Sequence, residues 1–281
     1  MNIHTNKYTC AAFISVFSLL LALAMISMVA CQSAPQGYKS NPEAIQLNEQ
    51  GMQCYDSGQY DRASMYFDRA AQADPSNPAV WFNKGQTLDA ERKYDQAIDA
   101  YSQAIQLDGN FADAWSSKAV SYYNLDQSDK ALESIEKAIA LDGNVAKYWS
   151  NKGLILIAMD KYSEAVTCFE KATSLDSQVV DYWTNKAYAQ MKSKQYDAVL
   201  TSTDKALSLN ESSALAWGYK ARALYELRRY DESLIAFDKG LALSPDNPAL
   251  WYSKGLALET MKRTAEAQKC YDKARALGYQ F

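Results

Sequence analysis

Histidine is almost absent from this chain. The 281 residues contain one, His4, and it precedes an uncharged N-terminal run. If that run is removed, no imidazole remains for a Ser-His-Asp or Cys-His constellation, nor for a histidine metal site. Cysteine is sparse as well. Cys10, Cys31, Cys54, Cys168 and Cys270 contain no CxxC pair. Cys168 and Cys270 stand 102 residues apart at equivalent places in a repeat, which reads as small buried side chains rather than a disulfide. An excess of one charge is also missing. The 29 Lys and Arg against 33 Asp and Glu leave a net charge of −4 with both signs interspersed. No basic stripe is left for nucleic acid. A Gly-rich phosphate loop and a metal-spaced carboxylate set are lacking too. The expectation is a protein that is not an enzyme and needs no metal or cofactor.

What is present begins with one long hydrophobic run. Cys10 to Ala30, CAAFISVFSLLLALAMISMVA, carries no charge, and Lys7 lies upstream. It is long enough to cross a bilayer, so hydropathy alone leaves a cleaved signal and a retained anchor both open. Met28-Val29-Ala30-Cys31 resembles the lipobox of bacterial-type lipoproteins, with methionine where leucine is usual. The resemblance implies lipidation at Cys31. A transmembrane anchor and simple secretion are the other readings. All three place the rest of the chain outside the cytoplasm, at the cell surface or in the periplasm. Residues 1–31 are then a signal or membrane anchor and 32–43 a polar tether.

The remainder is periodic. Trp81, Trp115, Trp149, Trp183, Trp217 and Trp251 are all the tryptophans in the chain, and each follows the last by 34 residues. Lysine stands three residues after each, as in WFNKG and WSNKG. With tryptophan at the fourth position, units begin at Ala44, Pro78, Ala112, Ala146, Val180, Ala214 and Pro248 and fill 44–281 without insertion. The eighth position is always Gly or Ala, and the twenty-seventh is Ala or Gly in every unit. Small residues at matching heights let two helices approach closely. Each unit therefore reads as a helical hairpin. In the second, Trp81 to Arg92 is one helix, Tyr94 enters the turn, and Asp95 to Leu107 is the other.

This pattern (W-x2-K-G/A, then Tyr-Asp-x-Ala, then an aromatic, then alanine) resembles the tetratricopeptide repeat family. It implies an all-α, right-handed superhelical solenoid of seven hairpins, at 44–77, 78–111, 112–145, 146–179, 180–213, 214–247 and 248–281. Tryptophan is expected as core between the two helices of its own unit. The lysines are expected as a solvated row, with their stems over apolar surface. Positions 21 and 28 are apolar in the middle units but Gln268 and Arg275 in the last. A polar outer face of that kind keeps the end of a solenoid soluble, so a monomeric array ending at Phe281 is expected.

The same resemblance implies a concave groove lined by the first helices, chiefly at unit positions 2, 5, 6, 9, 12 and 13. The lysine and arginine clamp with which some members hold acidic tails is absent, because the fifth position carries no lysine in any unit. Instead the sixth supplies Asn83, Asn151 and Asn185. Tyr123, Tyr188, Tyr219, Tyr225 and Tyr252 lie nearby. An amide both donates and accepts, so such a ladder suits the backbone of an extended peptide, and the rings add contact area. The implied role is a membrane-tethered scaffold that binds a peptide segment or protein. The alternative is an assembly factor for pili or envelope complexes.

Overall fold

Pro42, Pro78 and Pro248 open three helices at the position where a missing N–H costs nothing. The Asn before each proline caps the helix: Asn41, Asn77 and Asn247 accept a backbone N–H from the first turn. The computed structural model describes residues 41–281. Cys31, the hydrophobic run and residues 32–40 of the expected tether lie outside the described residues. The described residues form fourteen α-helices in seven successive pairs and no strand: α1 (Pro42–Asp56), α2 (Tyr60–Ala73), α3 (Pro78–Ala90), α4 (Tyr94–Leu107), α5 (Ala112–Asn124), α6 (Ser128–Leu141), α7 (Ala146–Ala158), α8 (Tyr162–Leu175), α9 (Val180–Lys192), α10 (Tyr196–Leu209), α11 (Ala214–Glu226), α12 (Tyr230–Leu243), α13 (Pro248–Thr260) and α14 (Thr264–Ala276). None of them is long and apolar enough to cross a membrane.

Three boundaries of the second unit differ from expectation. The first helix of the second unit starts at Pro78, a turn before Trp81, because proline is suited to the first helical position. Tyr94 opens the second helix and does not lie in the turn. The first helix ends at Ala90, not Arg92, so the turn, Glu91 to Lys93, is one residue longer than expected, and one residue in it is left-handed. Gly58 holds φ 71° in the first unit, and Arg92, Asp126, Asp160, Lys194, Arg228 and Lys262 hold φ of 57–61° at the same place in the other six. That residue lets the next N–H reach back across the last helical turn, as in Lys93 to the Leu88 carbonyl at 2.8 Å.

Within a hairpin the fit is tight. A Cβ added at Gly51, Gly85, Gly153 or Gly255 would lie 2.5–2.6 Å from the ring of Phe67, Tyr101, Phe169 or Tyr271 respectively. The glycine of the first helix is therefore the seat for the aromatic of the second. Phe67, Tyr101, Phe169 and Phe237 are buried, as are Cys168 and Cys270.

Between hairpins the tryptophan and the lysine act together, and here two expectations are corrected. The tryptophans are half-buried, not enclosed in the core. Each indole Nε1 donates to a backbone carbonyl six residues upstream, from 2.7 Å (Trp251 to Pro245) to 3.2 Å (Trp115 to Gly109). The ring thus ties the start of a first helix to the loop arriving from the preceding unit. The lysines are not merely a solvated row either. Lys84, Lys152, Lys186, Lys220 and Lys254 each pair with an acid on the preceding unit's second helix, for example Lys152 with Glu136 at 2.7 Å. Most of the ammonium groups also sit over the tryptophan of their own unit, at 5.3 Å for Lys84 and Trp81.

Successive first helices touch one another, whereas successive second helices make no comparable contact. The first helices therefore crowd onto the inner side and the second helices splay outward, which bends the stack. At the far end Gln268 and Arg275 are exposed, where the equivalent Leu234 and Leu241 of the preceding unit are buried.

Candidate functional site

The inner wall is built by α1, α3, α5, α7, α9, α11 and α13. Its asparagines are not equivalent. Asn83 is 6 % exposed, and its Nδ2 donates to Asn48 of the preceding unit at 2.9 Å. Asn151 is half-buried and donates to Ser116 Oγ at 3.3 Å. Asn185 is half-buried. The ladder thus runs obliquely, from the sixth position of one unit to the fifth of the unit before. Asn83 belongs to the junction; Asn151 and Asn185 keep more of their surface towards the groove.

The tyrosines divide likewise. Tyr123 is half-buried among the packing of the third unit, and burial raises its hydroxyl pKa. Tyr188 and Tyr219 come from adjacent units, and their ring centroids lie 5.9 Å apart. The structure brings these two together as one aromatic surface. Tyr225 stands apart, 5.7 Å from Tyr230, with its hydroxyl 3.2 Å from Thr260 Oγ1. Tyr252 is covered by the chain's own end: Tyr279 stacks on it at 4.9 Å and Phe281 at 4.7 Å. It closes the end of the stack more than it lines the groove.

Sequence reasoning passed over a polar network on this wall. Asp89 accepts from Tyr101 Oη at 2.8 Å and from Ser121 Oγ of the next unit at 2.7 Å. Burial pushes the Asp89 pKa up to about 6, against the pull of those two bonds. Burial, Tyr60 and the carboxylates of Asp89 and Asp56 push the Tyr55 hydroxyl up to about 12. Asp113 accepts from Tyr148 at 2.7 Å, again across a junction. The only available signal was an acid at the twelfth position facing a tyrosine at the twenty-fourth. It recurs in the last unit, where Tyr271 donates to Glu259 at 2.7 Å. Apolar floor was missed too: Val120, Leu154 and Ile157 are half-buried between the polar ends of the wall. Among the described residues no group of three or more His, Cys, Asp or Glu side chains is placed to hold a metal ion.

Profiles described as tetratricopeptide repeat match residues 49–110, 88–155, 146–178, 214–247 and 248–274, together more than half of the chain. The chain belongs to the tetratricopeptide repeat family. A search among curated proteins found no match. Among solved structures, this tetratricopeptide array is similar to YrrB, described as a TPR protein with an unusual peptide-binding site. The identity is 23 % and the TM-score 0.56, over 64 % of this chain and 93 % of that one. It is similar to a tetratricopeptide repeat protein from Parabacteroides merdae at 18 % identity and a TM-score of 0.64, over 85 % and 95 %. It also resembles pilF of Pseudomonas aeruginosa at 16 % identity and a TM-score of 0.65, over 79 % and 97 %. At these identities the likeness establishes the fold, the superhelical array of hairpins.

Proposed function

We propose that this tetratricopeptide array is an extracytoplasmic scaffold, tethered to a membrane through its N-terminus, that holds an extended peptide or protein segment against its inner wall. The carrying observation is the Tyr188–Tyr219 surface, three residues along α9 from Asn185 and on the same wall as Asn151. It puts flat amphipathic rings on one wall with amides that donate and accept at once. The outer second helices differ in kind, since their acids are bound by lysines of the next unit. The protein acts by holding a partner and converts nothing. The tether rests on the hydrophobic run and the lipobox-like Met28 to Cys31.

The test is site-specific photocrosslinking in cells, with a photoreactive residue at position 188 or 219 and, as control, at exposed Thr201 on α10. A discrete partner captured only from the inner wall supports the reading. Equal capture from both places, or none, removes it. The tether is tested apart from this, by fatty-acid labelling of the parent and of Cys31→Ser. Label retained by the variant ends the lipidation reading. The captured partner's identity decides between a general scaffold and an assembly factor for pili or envelope complexes.

A further inference from the structure

The inner wall carries charge unevenly. In the first three units its groove-facing positions hold Glu49, Asp56, Asp89 and Asp113, with no lysine or arginine among them. Glu49, Asp56 and Asp113 are exposed and Asp89 is half-buried. From the fourth unit on, the same positions are balanced: Lys147, Lys192 and Arg222 stand with Asp181, Glu226 and Glu259.

The acids of the inner and outer faces are also treated differently. Asp68, Glu136, Glu170, Asp204 and Asp238 on the second helices are each taken by a lysine of the next unit. None of the four inner acids is in an ion pair. Asp89 and Asp113 accept neutral hydroxyls from Tyr101, Ser121 and Tyr148, bonds that leave their negative charge uncompensated. Like charges gathered on one concave surface reinforce each other's potential.

We infer that the segment held by the groove is basic at one end and apolar beyond it, with its Lys or Arg residues over units one to three. Its apolar stretch lies on the floor of Val120, Leu154 and Ile157 and reaches the Tyr188–Tyr219 rings. Carboxylates supply the ionic partners, and the half-buried rings of Tyr55 and Phe82 offer faces to a guanidinium or ammonium. The preference has the opposite sign to that of a clamp for acidic tails. It rests on the groove reading above and adds the class of ligand.

The experiment is selection of a displayed library of random dodecapeptides on the immobilised full chain, held in mild detergent. Parallel selections use two variants: Glu49→Gln/Asp56→Asn/Asp113→Asn, which removes three charges with little change in shape, and Tyr188→Ala/Tyr219→Ala. Circular dichroism confirms that both are folded. The expected result is enrichment of peptides with two or more basic residues at one end beside an apolar stretch. A synthetic copy of one such peptide should bind at least fivefold more weakly in 300 mM than in 50 mM salt. It should also lose at least tenfold in affinity for the charge-neutralised chain. Neutral or acidic winners that still depend on Tyr188 and Tyr219 would overturn the charge inference and leave the groove reading standing. Winners indifferent to both variants, or no winners at all, would overturn both.

Discussion

Trp149 and Gly143 belong to different units, yet the indole Nε1 of one donates to the carbonyl of the other at 2.8 Å. The ring also packs against the buried cluster that includes Val166 and Phe169. Two kinds of stabilisation therefore meet in one side chain, and substitution separates them. Trp149→Phe keeps most of the packing and loses the bond, at a cost of about 1 kcal/mol. Trp149→Ala loses both and should cost about 3 kcal/mol. Denaturant titration gives the totals. Hydrogen exchange should show the loss concentrated at α6, α7 and the loop between them, as expected of an array coupled through neighbours. Equal effects of the two variants would mean that the ring's packing adds nothing.

Gly153 tests the seat beneath an aromatic ring. Alanine is the better helix former by about 1 kcal/mol, so propensity alone predicts a gain. The added methyl would meet the Phe169 ring at 2.6 Å, against a buried side chain with no room to move aside. Overpacking of this kind costs about 1–3 kcal/mol, so Gly153→Ala should lower the melting temperature. Gly109, where an added Cβ meets nothing within 4 Å, is the control and should change little on the same substitution.

Lys194 predicts the reverse outcome. It is exposed and holds φ 59°, a conformation that a side chain disfavours and glycine adopts freely. Lys194→Gly should raise stability by up to about 1 kcal/mol, less what the unfolded chain gains in freedom. A lower melting temperature for this variant would show that the unfolded-state term wins.

Asp89 gives a pH dependence of defined sign. Its folded pKa of about 6 lies above the ordinary aspartate value, so between those limits the folded chain holds more of the proton than the unfolded one. Stability from this group therefore rises as pH falls from 7 towards 4, by about 1 kcal/mol between pH 7 and 5. Asp89→Asn keeps an acceptor for one of the Tyr101 and Ser121 hydroxyls, leaves the other to accept from the amide, and removes the titration. The difference in unfolding free energy between variant and parent should shrink over that interval. A constant difference would show that Asp89 ionises normally.

The period of the tryptophans and the alternation of small and bulky residues made the hairpins legible, because helix packing depends on size at fixed spacing. The exposure of Gln268 and Arg275 was legible for the same reason: they break an apolar row. The turn was not. Arg92, Asp126 and Lys194 carry side chains, and only Gly58 marks the left-handed residue by type. The roles of tryptophan and lysine were half-read, since their partners lie in the preceding unit and no pattern inside a single unit points backward. At the groove, residue type placed Asn83 and Asn151 alike. Asn83 is the more buried and meets Asn48, whereas Asn151 meets Ser116, and those partners lie in the preceding unit.

The backward reach of each junction has a consequence for how such a chain can be lengthened or cut. Copying residues 146–179 as a block would carry Trp149 and Lys152 away from Gly143 and Glu136 and seat them against whatever precedes the insertion. A block that starts inside the turn, at Asp160, and closes at Ser193 carries a complete seam, with Trp183 and Lys186 beside their own Ser177 and Glu170. The unit of junction packing is thus half a hairpin out of phase with the visible hairpin. Duplicating that block would keep every seam intact and move the mismatch inside a hairpin, where Ala187 would face the Phe169 ring that Gly153 natively seats.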